Sequence, residues 1–256
     1  SGDPTVTAFK YENGGIIGNV SNRYVDVVRG IETLQFSDGT ITVSQSSPGA
    51  AYTLTVNSNV GETHNTLRTS SNDIQTVIGD PITQYVYLND DEGNTVTLDG
   101  VEQVTAGNGD DDLTFTSNDI TQVSGGGGAD QVHLTSNEGN TTSINGVEIV
   151  DSGSGDDYLT LTGNTAATVD GGAGNDTITS IGSGDDTLTG GEGNDTLRGG
   201  DGSDVLIGGS DLGVSGVDQD VAIYAHASTD YEFGVDASGD LTVTEFRNES
   251  GDYLAV

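Results

Sequence analysis

Between Gly171 and Gly209, large aliphatic residues stand alone among polar neighbours at Ile178, Leu188 and Leu197, and the spacing of nine or ten positions continues to Leu206, which Val205 and Ile207 flank. The triplets Thr177-Ile178-Thr179, Thr187-Leu188-Thr189 and Thr196-Leu197-Arg198 alternate polar, apolar, polar. This period of two predicts very short strands that each turn one side chain inward, with Thr suited to the outward positions. The hexamers between them, such as GGAGND from Gly171 and GGEGND from Gly190, read as turns. Glycine reaches φ > 0 and has no Cβ to keep turn carbonyls apart. Two strand–turn units then make one coil, so that successive turns fall on opposite edges and alternate turns stack on the same edge.

The pattern continues upstream, less regularly, in AGNGDDDLT from Ala106, GGGGADQVH from Gly125 and SGSGDDYLT from Ser152. Beneath it lies a longer period. Ser71–Val104 aligns without gaps on Ser117–Val150, an offset of 46 residues, and Ala106–Asp111 matches Ser152–Asp157 at the same offset. Self-similarity at a fixed period marks a solenoid, in which each coil buries its apolar face only against its neighbours. In the first long unit, GDPITQ (Gly79–Gln84) replaces GGGGAD (Gly125–Asp130), and VGETHN (Val60–Asn65) stands where later units have GDD. Spacing survives there and acidic turn chemistry is lost, so Ala50–Asp99 is expected to form coils without a bound ion.

Two flanks lie outside the repeats. DYEFGVDASGDLTVTEF (Asp230–Phe246) predicts a two-stranded ribbon around DASGD, and TVTAFKYENGG followed by IETLQFSDGTITV predicts strand–turn–strand near the start. The expected organisation is a β-rich flank at 1–49, degenerate coils at 50–105, the acidic array at 106–209 and a second β-rich flank at 210–256. Thr5–Gly14 resembles Thr242–Gly251, which predicts one period of a longer repetitive protein; chance similarity of two β-ribbons is the competing reading.

Charge changes the picture. Asp and Glu number 41 against six Lys and Arg, a formal net charge of −35, and only 32% of residues are hydrophobic. This balance excludes nucleic acid, whose binding rests on Lys/Arg contacts to phosphate, and opposes anionic membranes. Low apolar content with high net charge otherwise predicts disorder. With no cysteine there is no disulfide, thiolate metal site or cysteine nucleophile. No apolar run is long enough to span a membrane, and no leader pattern opens at Ser1, so export would rely on a signal elsewhere.

Stacking alternate turns pairs Asp176 with Asp195, Asp186 with Asp204, Asp111 with Asp130, and Asp157 with Asp176. Arg198 is the only Lys or Arg within the array. Carboxylates forced together repel strongly when desolvated, so a cation is required. Hard oxygen donors in variable geometry favour Ca²⁺ over Zn²⁺ or Cu²⁺, and Mg²⁺ demands tighter octahedral geometry. Asp also caps Gly-rich turns without any metal, which is the better reading for a single copy. Seven copies with Asp at the sixth position argue for calcium. The fifth-position acids Asp110, Asp156 and Asp185 offer either a carbonyl or a merely solvated side chain.

The nonamer G-G-x-G-x-D-x-U-x, with U a large aliphatic residue, resembles the calcium-binding repeat of the RTX (repeats-in-toxin) family, specifically over residues 106–209. IETLQFSDG (Ile31–Gly39) is similar to a segment that follows RTX blocks. The resemblance implies an all-β, right-handed parallel β-roll or β-solenoid with short flanking β-ribbons. It also implies several Ca²⁺ ions between stacked turns, held by turn carbonyls and the sixth-position aspartates Asp111, Asp130, Asp157, Asp176, Asp186, Asp195 and Asp204. The glycines implicated with them are Gly109, Gly128, Gly155, Gly171, Gly174, Gly184, Gly190, Gly193, Gly199 and Gly202. Asp220, in SGVDQD, fits a degenerate terminal copy. The implication does not extend to the GDPITQ turn.

RTX proteins are typically exported unfolded by type I secretion and fold in external calcium. The expectation is therefore a calcium-rigidified, non-enzymatic segment of a secreted bacterial cell-surface protein of adhesin or S-layer type. Its partners would be calcium and neighbouring modules of the same polypeptide or surface lattice, with no nucleic acid and no direct membrane insertion. The alternative is a C-terminal accessory and secretion module of an exported enzyme or toxin. A third reading is glycan or ice binding on a flat face carrying Thr177, Thr187 and Thr196, residues that strand propensity explains equally. HExxH, GxSxG and phosphate-loop motifs are absent from the sequence. His64, His133 and His226 are scattered, and His133 reads as an outward strand residue. Asp3-Pro4 and Asp80-Pro81 are acid-labile dipeptides of a type at which some RTX proteins self-cleave, and otherwise ordinary turn dipeptides.

Overall fold

A computed structural model describes residues 5–8, 24–27, 33–35, 39–45, 51–58, 65–69, 74–79, 84–90, 93–209, 219–225, 231–235 and 241–245. The regular elements described are all strands, and they fall into two compact units, Ser1–Asp130 and Gln131–Val256. The expected all-β solenoid is what the chain adopts.

The first unit holds β1 (Thr5–Ala8), β2 (Tyr24–Val27), β3 (Thr33–Gln35), β4 (Gly39–Gln45), β5 (Tyr52–Ser58), β6 (Asn65–Thr69), β7 (Ile74–Ile78), β8 (Gln84–Asp90), β9 (Thr95–Asp99), β10 (Gln103–Asn108), β11 (Asp112–Phe115) and β12 (Gln122–Gly127). β1 pairs antiparallel with β2, and β3, β4 and β5 pair antiparallel in sequence, so the two described strands of IETLQFSDGTITV lie side by side. From β5 onward every pairing is parallel. Odd strands β5, β7, β9 and β11 join one sheet, and even strands β6, β8, β10 and β12 join another. Consecutive strands thus belong to different sheets, and the chain winds as a coil. Within Ala50–Asp99 the described strands follow this winding and bury alternating inward residues, among them Leu54, Val77, Val86, Leu88, Val96 and Leu98, while positions 60–64 and 80–83 of the altered turns lie outside the described residues.

The second unit holds β13 (Gln131–Leu134), β14 (Thr141–Asn145), β15 (Ile149–Asp151), β16 (Tyr158–Thr162), β17 (Thr168–Ala173), β18 (Thr177–Ser180), β19 (Thr187–Glu192), β20 (Thr196–Arg198), β21 (Val205–Gly209), β22 (Val221–Ala222), β23 (Tyr231–Val235) and β24 (Leu241–Glu245). The same parallel winding joins β13, β15, β17, β19 and β21 in one sheet and β14, β16, β18, β20 and β22 in the other. β23 and β24 form the predicted antiparallel ribbon.

Across the nonamer array the core is two aliphatic stacks wide, whereas β9, β11, β13 and β16 each bury two apolar residues. Parallel register places Leu159 beside Ile178 and Ile178 beside Leu197, and aligns Val150, Val169, Leu188 and Leu206 across the facing sheet. Ile178 and Leu188 are 0% exposed, whereas the flanking threonines are half-buried, as the triplet pattern predicts. The hexamers are not turn throughout. β17 and β19 run on through their first two glycines, which keep pairing with the next coil, Gly172 opposite Gly191. The second and fourth glycines then take left-handed angles, +115° at Gly191 and +126° at Gly193. The copy from Ile181 departs from this: β18 stops at Ser180 and neither Gly182 nor Gly184 has positive φ. Its first position is an exposed Ile, and the turn before it on that edge, Gly163–Ala167, lacks the motif.

A Cβ at Gly191 would collide with the Gly172 carbonyl as well as strain a positive φ. Gly191→Ala is therefore expected to lower the thermal unfolding midpoint more than Thr187→Ala, a change on the half-buried outer face of the same strand. Leu188→Ala should cost about 2–5 kcal/mol in calcium, measured by denaturant titration, because so thin a core has few neighbours able to close the cavity.

Candidate metal centre

The sixth residue of each turn is where strand and turn meet, and there the chain buries carboxylates. Asp111, Asp130, Asp157, Asp176, Asp186 and Asp195 are each 0–2% exposed. The four pairs expected from spacing are neighbours, and each is joined in the same way: a backbone N–H donates to Oδ1 of the aspartate one coil later. The distances are 2.9 Å for Asp111 to Asp130, 2.8 Å for both Asp157 to Asp176 and Asp176 to Asp195, and 3.0 Å for Asp186 to Asp204. Asp220 extends the row by accepting from the Asp195 N–H at 2.9 Å, although it is itself exposed. In the second unit one edge thus carries Asp157, Asp176, Asp195 and Asp220, and the other carries Asp186 and Asp204.

Oδ1 is used by this ladder and Oδ2 is not. Oδ2 of Asp157 and of Asp176 is buried without a hydrogen-bond partner. The first glycine of the hexamer makes room for it: a Cβ at Gly171 would stand 2.5 Å from Asp176 Oδ2, and Cβ atoms at Gly190, Gly199 and Gly208 would strike Oδ2 of Asp195, Asp204 and Asp220. Gly171 and Gly190 lack positive φ, so glycine is needed there for space rather than for backbone conformation. Gly155, Gly174 and Gly193 stack directly, since a Cβ on Gly174 or Gly193 would strike the carbonyl of the glycine one coil earlier.

Burial is the main force on the acid chemistry. It raises the Asp176 carboxyl from the ordinary carboxylate value to about 7, against the lowering hydrogen bond from Asp157 and with the charges of Asp157, Asp195 and Asp156 adding to the rise. Asp157 and Asp204 are likewise raised by burial first.

The fifth position has a role that the sequence reading left open. Its side chains are exposed, yet they form an outer ladder of opposite polarity, accepting the backbone N–H of the next coil. Asp110 accepts from Ala129 at 2.9 Å, Asp156 from Asn175 at 2.8 Å, Asp185 from Ser203 at 2.8 Å, Asn175 from Asn194 at 3.0 Å, and Asn194 from Gln219 at 3.0 Å. Asn serves there as well as Asp, so this ladder needs a carbonyl-type oxygen and not a charge.

Two further residues belong to the inner ladder and carry no acidic signature. Asn94 donates to Asp111 Oδ1 from its backbone at 2.7 Å and from Nδ2 at 2.6 Å; Asn140 does the same to Asp157 Oδ1 at 2.6 and 2.7 Å. The shared tripeptide Glu-Gly-Asn, at 92–94 and 138–140, was the available signal. His133 is half-buried on the outer face, 3.8 Å from Asp151, away from the corners. Asp3, Pro4, His64, Asp80, Pro81 and His226 lie outside the described residues.

Among the described residues no three His, Asp or Glu side chains converge. A cation at these corners would take carboxylate Oδ2 together with backbone carbonyls, an all-oxygen donor set that suits Ca²⁺. Residues 161–180 and 180–211 match the family model of the RTX calcium-binding nonapeptide repeat, in four copies. The chain carries an RTX repeat block. No curated protein and no solved structure matches it. The RTX motif-like turns at Ala106, Gly125 and Ser152 lie outside the matched residues but build the same corners.

The raised carboxyls fix the sign of a pH effect. Without a cation, the unfolded chain releases the Asp176 proton near the ordinary carboxylate value, and the folded chain holds it to about 7. The folded state binds more protons across that window, so stability falls as pH rises through it and levels off above. In chelator the far-UV β signal should fall between pH 5 and pH 8, and Asp176→Asn should blunt the fall. Equal slopes in the two proteins would contradict this assignment.

Proposed function

We propose that the chain is a structural segment of a secreted bacterial cell-surface protein, of adhesin or S-layer type, that stiffens when Ca²⁺ fills its acidic corners outside the cell. RTX repeats form a calcium-binding structural family rather than a catalytic one, and here they sit in a β-solenoid. The observation that carries the reading is the buried, partnerless Oδ2 of Asp176 in a row of stacked aspartates. Asp111, Asp130, Asp157, Asp176, Asp186, Asp195, Asp204 and Asp220 are the proposed ligand aspartates, completed by carbonyls of the turns that contain Gly109, Gly128, Gly155, Gly171, Gly174, Gly184, Gly190, Gly193, Gly199 and Gly202. A cation that binds only the folded chain stabilises it by mass action. In a low-calcium cytoplasm the acidic chain stays expanded, the state suited to type I export, and in external calcium it folds. Its partners are then calcium and the adjoining modules, with the resemblance of Thr5–Gly14 to Thr242–Gly251 supporting tandem modules.

The second reading, an accessory module of an exported enzyme or toxin, uses the same chemistry. The full reading frame separates the two: tandem copies of this unit support the first, and a catalytic domain upstream supports the second.

Far-UV circular dichroism in EDTA should show loss of β structure that Ca²⁺ restores and equimolar Mg²⁺ does not. Unchanged spectra through the calcium titration would defeat the reading. Asp186→Ala and Asp195→Ala stand on different edges, so each should weaken only part of the calcium binding isotherm.

A further inference from the structure

The Asp157–Asp176–Asp195–Asp220 row has a member at its N-terminal end that is not an acid. Asn140 is 0% exposed and hydrogen-bonds Asp157 Oδ1 through both its backbone N–H and its Nδ2. With the amide nitrogen so engaged, Asn140 Oδ1 is left buried without a hydrogen-bond partner. Asp157 Oδ2, on the adjoining coil, is in the same condition. An amide oxygen buried without a donor is a costly arrangement unless something electropositive meets it. Two such oxygens on side chains bonded to each other, at one corner of adjacent coils, make a donor set and not a packing accident.

We propose that Asn140 Oδ1 and Asp157 Oδ2 hold a further Ca²⁺ ion, one coil before the aspartate pairs. This rests on the calcium reading of the row and extends it to a turn, Ser136-Asn137-Glu138-Gly139-Asn140, that has neither the glycine hexamer nor a sixth-position acid. Ca²⁺ accepts neutral carbonyl and amide oxygens readily, so Asn can replace Asp as a ligand with one fewer negative charge. The turn backbone is stacked as in the acidic copies: a Cβ on Gly139 would strike the Asp156 carbonyl, and one on Gly155 would stand 2.7 Å from the Gly139 nitrogen. Ser154 Oγ further ties the two turns by donating to Asn137 Oδ1 at 2.9 Å. The lower ligand charge makes this the weakest site of its edge, and its filling is the last step of the calcium titration.

The test is calcium stoichiometry and affinity by isothermal titration on the full chain, with circular dichroism confirming the fold in calcium. Asn140→Ala should lose one bound Ca²⁺ per chain, the weakest, and keep the rest. Asn140→Asp should keep the count and tighten that weakest ion by about tenfold, because calcium sites gain affinity with ligand charge. If Asn140→Ala is folded in calcium and binds as many ions as the unaltered chain, the site does not exist. Should Asn140→Ala fail to fold, an unchanged weakest affinity in Asn140→Asp overturns the proposal on its own. A chain that binds no Ca²⁺ in any form defeats the calcium reading itself, an outcome distinct from loss of this one site.

Discussion

Stacked, buried carboxylates at the coil corners are the constraint on which the rest of this structure depends. Across the nonamer array a core two aliphatic stacks wide gains little from burial, and six of the eleven buried polar residues among those described are aspartates. Asp157, Asp176 and Asp195 follow one another coil by coil along one edge, with no basic residue at those corners. Water cannot reach them, and the raised carboxyl of Asp176 records the strain of holding charge there. Folding at neutral pH then requires either protons or a cation.

The repeat solves this by dividing each aspartate in two. Oδ1 is a fixed acceptor for the backbone N–H of the preceding coil, which sets the register between coils independently of any ion. Oδ2 takes no part in that ladder, at Asp157 and Asp176 it has no hydrogen-bond partner, and on the proposed reading it is the oxygen offered to the cation; the first glycine of the hexamer is small because that oxygen folds back over it. Alongside runs the outer ladder from the fifth position, with opposite polarity, so neighbouring coils exchange bonds in both directions. The nonamer consensus is thus a set of spatial requirements: space at position one, left-handed backbone at two and four, an acceptor oxygen at five, and a split carboxylate at six.

Much of this was legible in the sequence. Period-two triplets such as Thr187-Leu188-Thr189 gave the strands, and spacing gave the stacked pairs, because one residue type at one position of a regular coil leaves little freedom. The irregular parts were harder. Asn94 and Asn140 occupy the ladder position without charge, and only the shared Glu-Gly-Asn could have flagged them. The 46-residue offset between them spans five strands, an odd number. In the first unit the Asn94–Asp111 corners therefore open odd-numbered strands, and in the second the Asn140–Asp157 corners open even-numbered ones. Nothing in a linear alignment shows that switch of parity, because it depends on how many residues each turn absorbs. The turn after Ile181 was read as equivalent to its neighbours, yet it keeps the aspartate contact without positive φ at Gly182 or Gly184.

The central claim is that a divalent cation, and not a proton, occupies these corners in the folded protein. Anomalous diffraction from crystals grown in calcium at neutral pH addresses it directly. The account predicts calcium peaks beside Oδ2 of Asp157, Asp176 and Asp195, with carbonyl oxygens of the stacked turns in the coordination sphere. A folded solenoid whose corners contain only water, with no anomalous signal, would contradict it.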